Sequence, residues 1–337
     1  MRVAAFSDFT GPNSISIIDR PIPEPDRHEA VVEVEACAIN RHDLWILEGD
    51  SAVIDTSDLP FVSGLDLAGT VQNIGEDVTG VESGDRVVLC PNVTCGTCRY
   101  CREGPENLCE NHSLYHGGLA EAARVQADRL VPLPDSVSTV EAAALPTAYM
   151  TAYHMLRRLE TGPTDLVFIP GVTGGVGVAG VQLVASLGAH SIGTSSSQVK
   201  LDRLKSLGLD YAIKSTDPNE IEDAVTNIGS VDGVLNHLGG EYTQLGLDVL
   251  RRDGRMAVCG RTAGNKSVID IPDLFLGHKR VIGSTMGTQR DLETLIGLVA
   301  SGSLTPEIDE TYSLEDTEAA FVAMQDRESV GKLVVTP

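Results

Sequence analysis

Lysine is scarce in this chain. It supplies only 6 of the 25 basic residues, against 48 Asp and Glu, and the formal net charge is −23. A basic nucleic-acid footprint is therefore missing, which argues against DNA or RNA as partners. Long apolar runs are missing too: none approaches the roughly 18 residues of a membrane span, so no membrane association is expected. The opening residues Met1-Arg-Val-Ala-Ala-Phe6 read as the start of a strand and as neither signal nor transit peptide, so the expected location is cytoplasmic. Tryptophan occurs once, at Trp45.

What is present is enough for two globular domains: 337 residues, 42% of them apolar. The surplus of carboxylates fits an ordinary acidic enzyme. It fits better a protein adapted to molar salt, where the Debye length shrinks to about 3 Å and acidic self-repulsion is screened.

The first 130 or so residues pattern as strands punctuated by Gly and Pro. Val32-Glu-Val-Glu-Ala-Cys37 alternates apolar and polar, and Leu67-Ala-Gly-Thr-Val-Gln-Asn-Ile74 and Asp85-Arg-Val-Val-Leu89 continue the series. Ser138-Thr-Val-Glu141 is a capping box that opens a helix, and Pro146 is expected to divide it from a second helix over 148–159. From Leu166 strands and helices alternate, a rhythm that predicts a doubly wound parallel sheet. Ser313-Leu-Glu-Asp316 is read as another capping box, and Lys332-Leu-Val-Val335 as a closing strand.

Two motifs carry chemistry. Gly171-Val-Thr-Gly174-Gly175-Val176-Gly177 follows an apolar strand and opens into a helix, the setting in which glycines let a pyrophosphate reach free N–H groups. At the end of the next strand an acidic residue would select NAD. Thr194-Ser195-Ser196-Ser197 and Lys200 stand there instead, and favour the 2′-phosphate of NADPH. A solvated Lys200 without that role is the other reading. Cys95-x2-Cys98-x2-Cys101-x7-Cys109 places four thiolates on one loop, a set that closes tetrahedrally round one structural zinc ion per chain. Cys37, Cys90 and Cys259 lie in apolar, strand-like contexts and read as small buried hydrophobes.

In order along the chain stand Ala36-Cys-Ala-Ile-Asn40, Gly64-Leu-Asp-Leu-Ala-Gly69, Val81-x-x-Gly84-Asp85-Arg86-Val87, the cysteine lobe, Gly117-Gly118-x-Ala120-Glu121, the glycine motif and Gly331-Lys332. With these the chain resembles the medium-chain dehydrogenase/reductase family over essentially its whole length. The resemblance implies an α/β fold: a GroES-like β-rich catalytic domain plus a Rossmann doubly wound parallel sheet. It implies a catalytic domain over 1–147 with the zinc lobe at about 90–112, a nucleotide domain over 148–283, and a return to the first domain over 284–337. It also implies a homodimer or homotetramer.

The departures from the family are equally specific. The positions that hold catalytic zinc in alcohol dehydrogenases of this family fall on Asn40, on Leu65 of Gly64-Leu65-Asp66, and at or near Thr147. Leu binds no metal, Asn and Thr are poor zinc ligands, and Asp66 alone is insufficient. With Asp43-Leu-Trp45 following, the chain resembles quinone oxidoreductases and enone reductases that work without metal. The resemblance implies hydride transfer from NADPH to a quinone or an α,β-unsaturated carbonyl. Its alternatives are an alcohol or carbonyl dehydrogenase with an atypical metal site, and a protein that binds NADPH without turnover.

Within that frame Asn40 would meet the nicotinamide or the acceptor carbonyl, a local turn bond being the other reading. His42 would donate a proton or be merely structural. Trp45 would stack on the acceptor or belong to the core. Arg41 would meet the pyrophosphate, and Thr151, Cys259, Ser284 and Lys332 would line the cofactor.

Overall fold

The computed structural model describes residues 1–51 and 53–337. They form two compact units, residues 1–148 with 288–337, and residues 149–287.

The first unit opens with β1 (Arg2–Phe6) and β2 (Ile15–Asp19), an antiparallel pair. Next come β3 (Glu29–Ala38), α1 (Arg41–Leu47), β4 (Asp66–Ile74) and β5 (Arg86–Leu89). The cysteine lobe contributes β6 (Asn92–Val93), α2 (Arg99–Glu103) and β7 (Ser113–Leu114). Then follow β8 (Ala122–Gln126), β9 (Leu130–Pro132) and α3 (Thr139–Ala143). In β3 the exposed Glu33 and Glu35 alternate with buried Val32, Val34 and Ala36, which gives the strand one solvent face and one core face. A side chain at Gly69 of β4 would place its Cβ 1.8 Å from the Glu33 carbonyl oxygen, so the β3–β4 pairing admits only glycine there.

The expected Ser138–Glu141 capping box starts α3, Ser138 Oγ accepting from the Glu141 N–H at 3.2 Å. Pro146 does not break the chain. It sits in a π-helical turn over Leu145–Tyr149 that runs on into α4 (Met150–Arg158). The wider turn tolerates a residue without an N–H.

The second unit continues with β10 (Leu166–Ile169), α5 (Gly175–Ser186), β11 (His190–Thr194), α6 (Gln198–Ser206) and β12 (Tyr211–Ile213). It is completed by α7 (Pro218–Ile228), β13 (Val231–Asn236), α8 (Tyr242–Val249), β14 (Leu250–Val258), α9 (Ile271–Leu276) and β15 (Arg280–Gly283). Its six strands are all parallel, in the order β12-β11-β10-β13-β14-β15. The chain winds outward from β10 in one direction and from β13 in the other, so the crevice between their carboxyl ends is the topological switch point. Phe168, Ile192, Val234 and Met256 are fully buried in this unit's core.

Residues 288–337 return to the first unit as α10 (Gln289–Ala300), β16 (Ile308–Ser313), α11 (Thr317–Gln325) and β17 (Lys332–Thr336). Ser313 and Asp316 hydrogen-bond one another but form no capping box. The helix begins only at Thr317, and Asp316 is its N-cap. The large sheet runs β16-β17-β3-β4-β5-β9, with β8 also on β3. Beneath it Phe6 and Phe321 pack edge to face at 5.7 Å. Among the described residues no helix is long and apolar enough to cross a membrane.

Candidate functional site

Three backbone segments of the first unit converge on Asp66. Asn40 follows β3, Asp66 opens β4 opposite Ala38, and Lys332 opens β17. Lys332 Nζ donates to the Ile39 carbonyl at 2.9 Å and to Asn40 Oδ1 at 2.5 Å, and lies 3.4 Å from Asp66 Oδ2. Asn40 Nδ2 donates to Asp66 Oδ2 at 2.9 Å, and Thr147 Oγ1, from the π-helical turn, to Asp66 Oδ1 at 2.6 Å. Asp66 is 0% and Lys332 3% exposed. Burial pushes the Asp66 carboxyl above its ordinary range, while Lys332, Thr147 and Asn40 pull it back. Three acceptors satisfy the three N–H donors of the ammonium.

This corrects two expectations. Asn40 and Lys332 do not reach outward to a cofactor or acceptor, because their polar atoms are spent on each other and on Asp66. The positions read from the sequence as vacated metal ligands behave as follows: Asn40 and Thr147 both bond Asp66, and Leu65 is fully buried.

α1 carries the next group. Its Asp43 is fully buried and accepts from Ser63 Oγ at 2.5 Å, from the Gly64 N–H at 3.0 Å and from the Asn40 N–H at 2.8 Å. Its role is to lock the turn before β4. Arg41 buries its Nε without a partner. Burial lowers the Arg41 guanidinium below its usual value, Glu48 opposes that and Arg327 adds to it. A buried guanidinium N–H without an acceptor suits an anionic ligand. His42 stacks on His116 with centroids 5.5 Å apart and planes at 20°, and His116 meets Phe61 edge-on at 5.2 Å. Trp45 is partly exposed on the same helix.

The nucleotide motif is built as its sequence implies. Gly174 caps α5, and a Cβ there would meet nothing within 4 Å, whereas at Gly177 it would stand 2.7 Å from Val172 Cα. One glycine leaves space for a ligand and the other lets helix and strand approach closely. Val176 lies between them in the first turn of α5. Thr194 at the end of β11 pins the turn, its Oγ1 accepting from the Gly171 N–H at 3.0 Å. Ser195 Oγ accepts from the Ser197 N–H at 3.2 Å, and Ser197 Oγ caps α6 through the Lys200 N–H at 3.4 Å. Ser196 is exposed and Lys200 half-buried.

Further along the carboxyl edge of this sheet stand the residues after β13, β14 and β15. The Cys259 N–H donates to the Asn236 carbonyl at 3.1 Å, and burial pushes the Cys259 thiol up to about 12. The Ser284 N–H donates to the Val258 carbonyl at 2.8 Å, and its Oγ is buried without a partner. Thr151 is buried on α4, its Oγ1 3.9 Å from Met286 Sδ. The residue missed in the sequence is His237. It follows β13 at the switch point, against the carbonyls of Pro170 and Gly171, with its Nε2 buried and unpartnered. Burial holds this imidazole down at about 4, so it stays neutral and its bare nitrogen can accept from a ribose hydroxyl. Its place right after a buried strand at the switch point was the available signal.

The sulfurs of Cys95, Cys98, Cys101 and Cys109 lie within 4.8 Å of one another. Cys95 and Cys101 are 3.9 Å apart and Cys98 and Cys101 3.5 Å. Four thiolates at about 2.3 Å from one ion stand about 3.8 Å from each other, so the set fits tetrahedral zinc. Backbone and hydroxyl donors from Thr97 and the Cys98 N–H bring the Cys95 thiol down to about 5. Desolvation and the neighbouring cysteines raise Cys101 to about 11. A bound cation would favour the thiolate form of these ligands.

The pattern described as "Alcohol dehydrogenase GroES-like domain" matches residues 26–135, and that described as "Zinc-binding dehydrogenase" matches residues 175–301. The chain is 30% identical to an alcohol dehydrogenase of Moraxella sp. over 99% of each protein. It is 29% identical to the acryloyl-coenzyme A reductase of Sulfurisphaera tokodaii, over 94% of this chain and 95% of that one. A solved NAD-dependent alcohol dehydrogenase superposes over 100% of both chains with a TM-score of 0.91 at 31% identity. The GroES-like unit, the parallel nucleotide sheet and the cysteine lobe agree with these likenesses, and the chain belongs to the zinc-type medium-chain dehydrogenase/reductase family of oxidoreductases.

Proposed function

We propose that this protein is an NADPH-dependent reductase of quinones or α,β-unsaturated carbonyl compounds that transfers hydride without a catalytic metal. The observation that carries the reading is the buried Lys332 ammonium, held by Asn40 and Asp66 with Thr147 closing the other side of the carboxylate. A fixed cation bonded to Asn40 Oδ1 and close to Asp66 Oδ2 already balances this carboxylate, and its charge repels a divalent ion from the same place. An acryloyl-coenzyme A reductase among the relatives supports an activated alkene as the acceptor.

The cysteine lobe would hold one structural zinc ion through Cys95, Cys98, Cys101 and Cys109. NADPH bound at the glycine turn would supply the hydride. The turn's open side at Gly174, the unpartnered Ser284 Oγ and His237 Nε2, and the hydroxyls of Ser195 and Ser196 with Lys200 would seat it. Arg41 would meet its phosphates, and His42 would return a proton to the reduced acceptor. The acidic surface suits molar salt and the cytoplasm of a halophile. The apolar residues exposed near the edge strand, Val268 at 88%, Phe275 at 60% and Leu276 at 59%, would be covered by a second copy of the chain.

Oxidation of NADPH at molar KCl with a chelator present tests the reading, across quinones, enones, aldehydes and alcohols. Turnover confined to quinones or enones, with one zinc per chain, is the expected result. Chelator-sensitive alcohol oxidation with two zinc ions per chain would overturn it in favour of an alcohol dehydrogenase. Cofactor binding with no turnover on any acceptor would leave a binding protein.

A further inference from the structure

The fourth cysteine of the lobe follows a one-turn helix, Glu106–Leu108, and the Cys109 N–H donates to the Glu106 carbonyl at 2.9 Å. The Cys109 thiol and the Glu106 carboxylate are therefore carried on one turn. Glu106 Oε1 accepts from the Gln289 N–H at 2.6 Å, across 183 positions of sequence. Both residues belong to the first unit.

Gln289 opens α10, and its N–H is one of the first four that a helix cannot satisfy from within. Thr288 and Asp291 form a capping box that takes the Asp291 N–H at 3.1 Å and the Thr288 N–H at 2.9 Å. That box leaves the Gln289 N–H over, and Glu106 supplies its acceptor. The same carboxylate stands at the positive end of a 12-residue helix. The Gln289 side chain adds a tie of its own, Nε2 donating to the Asp128 carbonyl at 3.1 Å.

Arg129 holds Glu106 from the other side. Its Nη2 lies 3.8 Å from Glu106 Oε1 and donates to Cys90 Sγ at 3.1 Å, and the Arg129 side chain is 13% exposed. Arg129 Nε and Gln289 Oε1 are buried with no partner among the described residues. The seam has few spare groups, so loss of the Glu106 carboxylate leaves a helix N–H and a guanidinium short of an acceptor.

The lobe that carries Glu106 has almost no core. Over residues 92–114 only Asn92, Asn107 and Cys109 are buried. The four sulfurs within 4.8 Å of one another are what can hold the turn, through an ion. We propose that the cysteine lobe is a metal-dependent cap for α10: zinc on Cys95, Cys98, Cys101 and Cys109 fixes the Glu106 turn, and Glu106 orders the first turn of the helix. The zinc content of the lobe then sets the order of the segment that leads on to β16 and β17. The proposal rests on the lobe holding zinc, as read above, and is independent of the acceptor.

Hydrogen exchange on the full chain, read by mass spectrometry, tests it. Three stretches are followed: the lobe over 92–114, α10 over 288–300, and α5 over 175–186 as a control. Zinc removal from the wild type by long dialysis against a chelator should open the lobe. It should also speed exchange at the start of α10 by about fivefold, the loss of one helix cap, with α5 unchanged. E106A with one zinc per chain should show the same change in α10 while its lobe stays protected. Stripping its zinc should then add nothing to α10. E106Q keeps an acceptor oxygen and should retain most of the protection. C101S provides a zinc-free lobe should dialysis leave the ion in place. An α10 unmoved while the lobe opens would overturn the proposal, and this comparison needs no variant at Glu106. So would an E106A whose α10 exchanges as the wild type does, or still responds to zinc as the wild type does. A wild type that takes up no zinc would sink the zinc reading and the metal dependence with it, whereas faster α10 exchange in E106A would show that the Glu106 cap stands without it.

Discussion

At the scale of single residues, the buried charges of the first unit make the sharpest claims. Removing Lys332 while leaving Asp66 strands a carboxylate that is 0% exposed. K332M should lose about 3 kcal/mol or more of stability, and K332M/D66N, which removes both charges, should recover most of it; urea melts check both. The sign with pH follows from Asp66. Its folded pKa is raised, so the fold binds this proton more tightly than the unfolded chain does, and stability falls as pH rises through that window. Without Lys332 the window widens upward, and K332M should be hurt more at about pH 8 than at about pH 5. His116 and His237 act in the opposite sense. Both are lowered from 6.5 to about 4, so the unfolded chain takes protons that the fold refuses, and stability is lost as pH falls from 6.5 toward 4. Thermal melts should drop on acidification, and less so in H237L. None of this was legible in the sequence beyond the unusual residues at Asn40, Leu65 and Thr147. Asn40 and Lys332 lie 292 residues apart, and their pairing depends on β17 docking against β3.

At the scale of elements, the glycine turn separates binding from folding. G174A adds a methyl group that meets nothing within the protein, so it should melt within about 0.5 kcal/mol of the wild type while losing affinity for a nicotinamide dinucleotide by titration. G177A would drive a Cβ to 2.7 Å from Val172 Cα and should lose stability and cofactor binding together. The cysteine lobe behaves as a third kind of element. Its two short strands and two-turn core hold little apolar area, so C109S should release the zinc and open the lobe to proteolysis between residues 92 and 114. The strands, the helices and the cysteine lobe could be read ahead because each is written in local spacing: Gly174 before α5, Ser138 before α3, four cysteines on one loop. The π-helical turn at Leu145–Tyr149 and the late start of α11 could not, since a proline and a Ser-x-x-Asp run fit several local geometries equally well.

At the scale of the whole molecule, charge and connectivity set the behaviour. A net charge of −23 opposes compaction, and salt screens it, so the melting temperature should rise steeply between about 0.1 and 2 M KCl. A flat response would remove the halophile reading. The two units differ in how their chains close. The second is one continuous stretch, residues 149–287, whereas the first needs residues on both sides of it. Asp66 meets Lys332 across 266 positions of sequence. During synthesis the nucleotide sheet can therefore mature on the ribosome while the first unit waits, with the Asp66 carboxylate held in water by an unfinished sheet. The Lys332 ammonium acts as a late latch, and a chain cut short before β17 would have one finished unit and one open one.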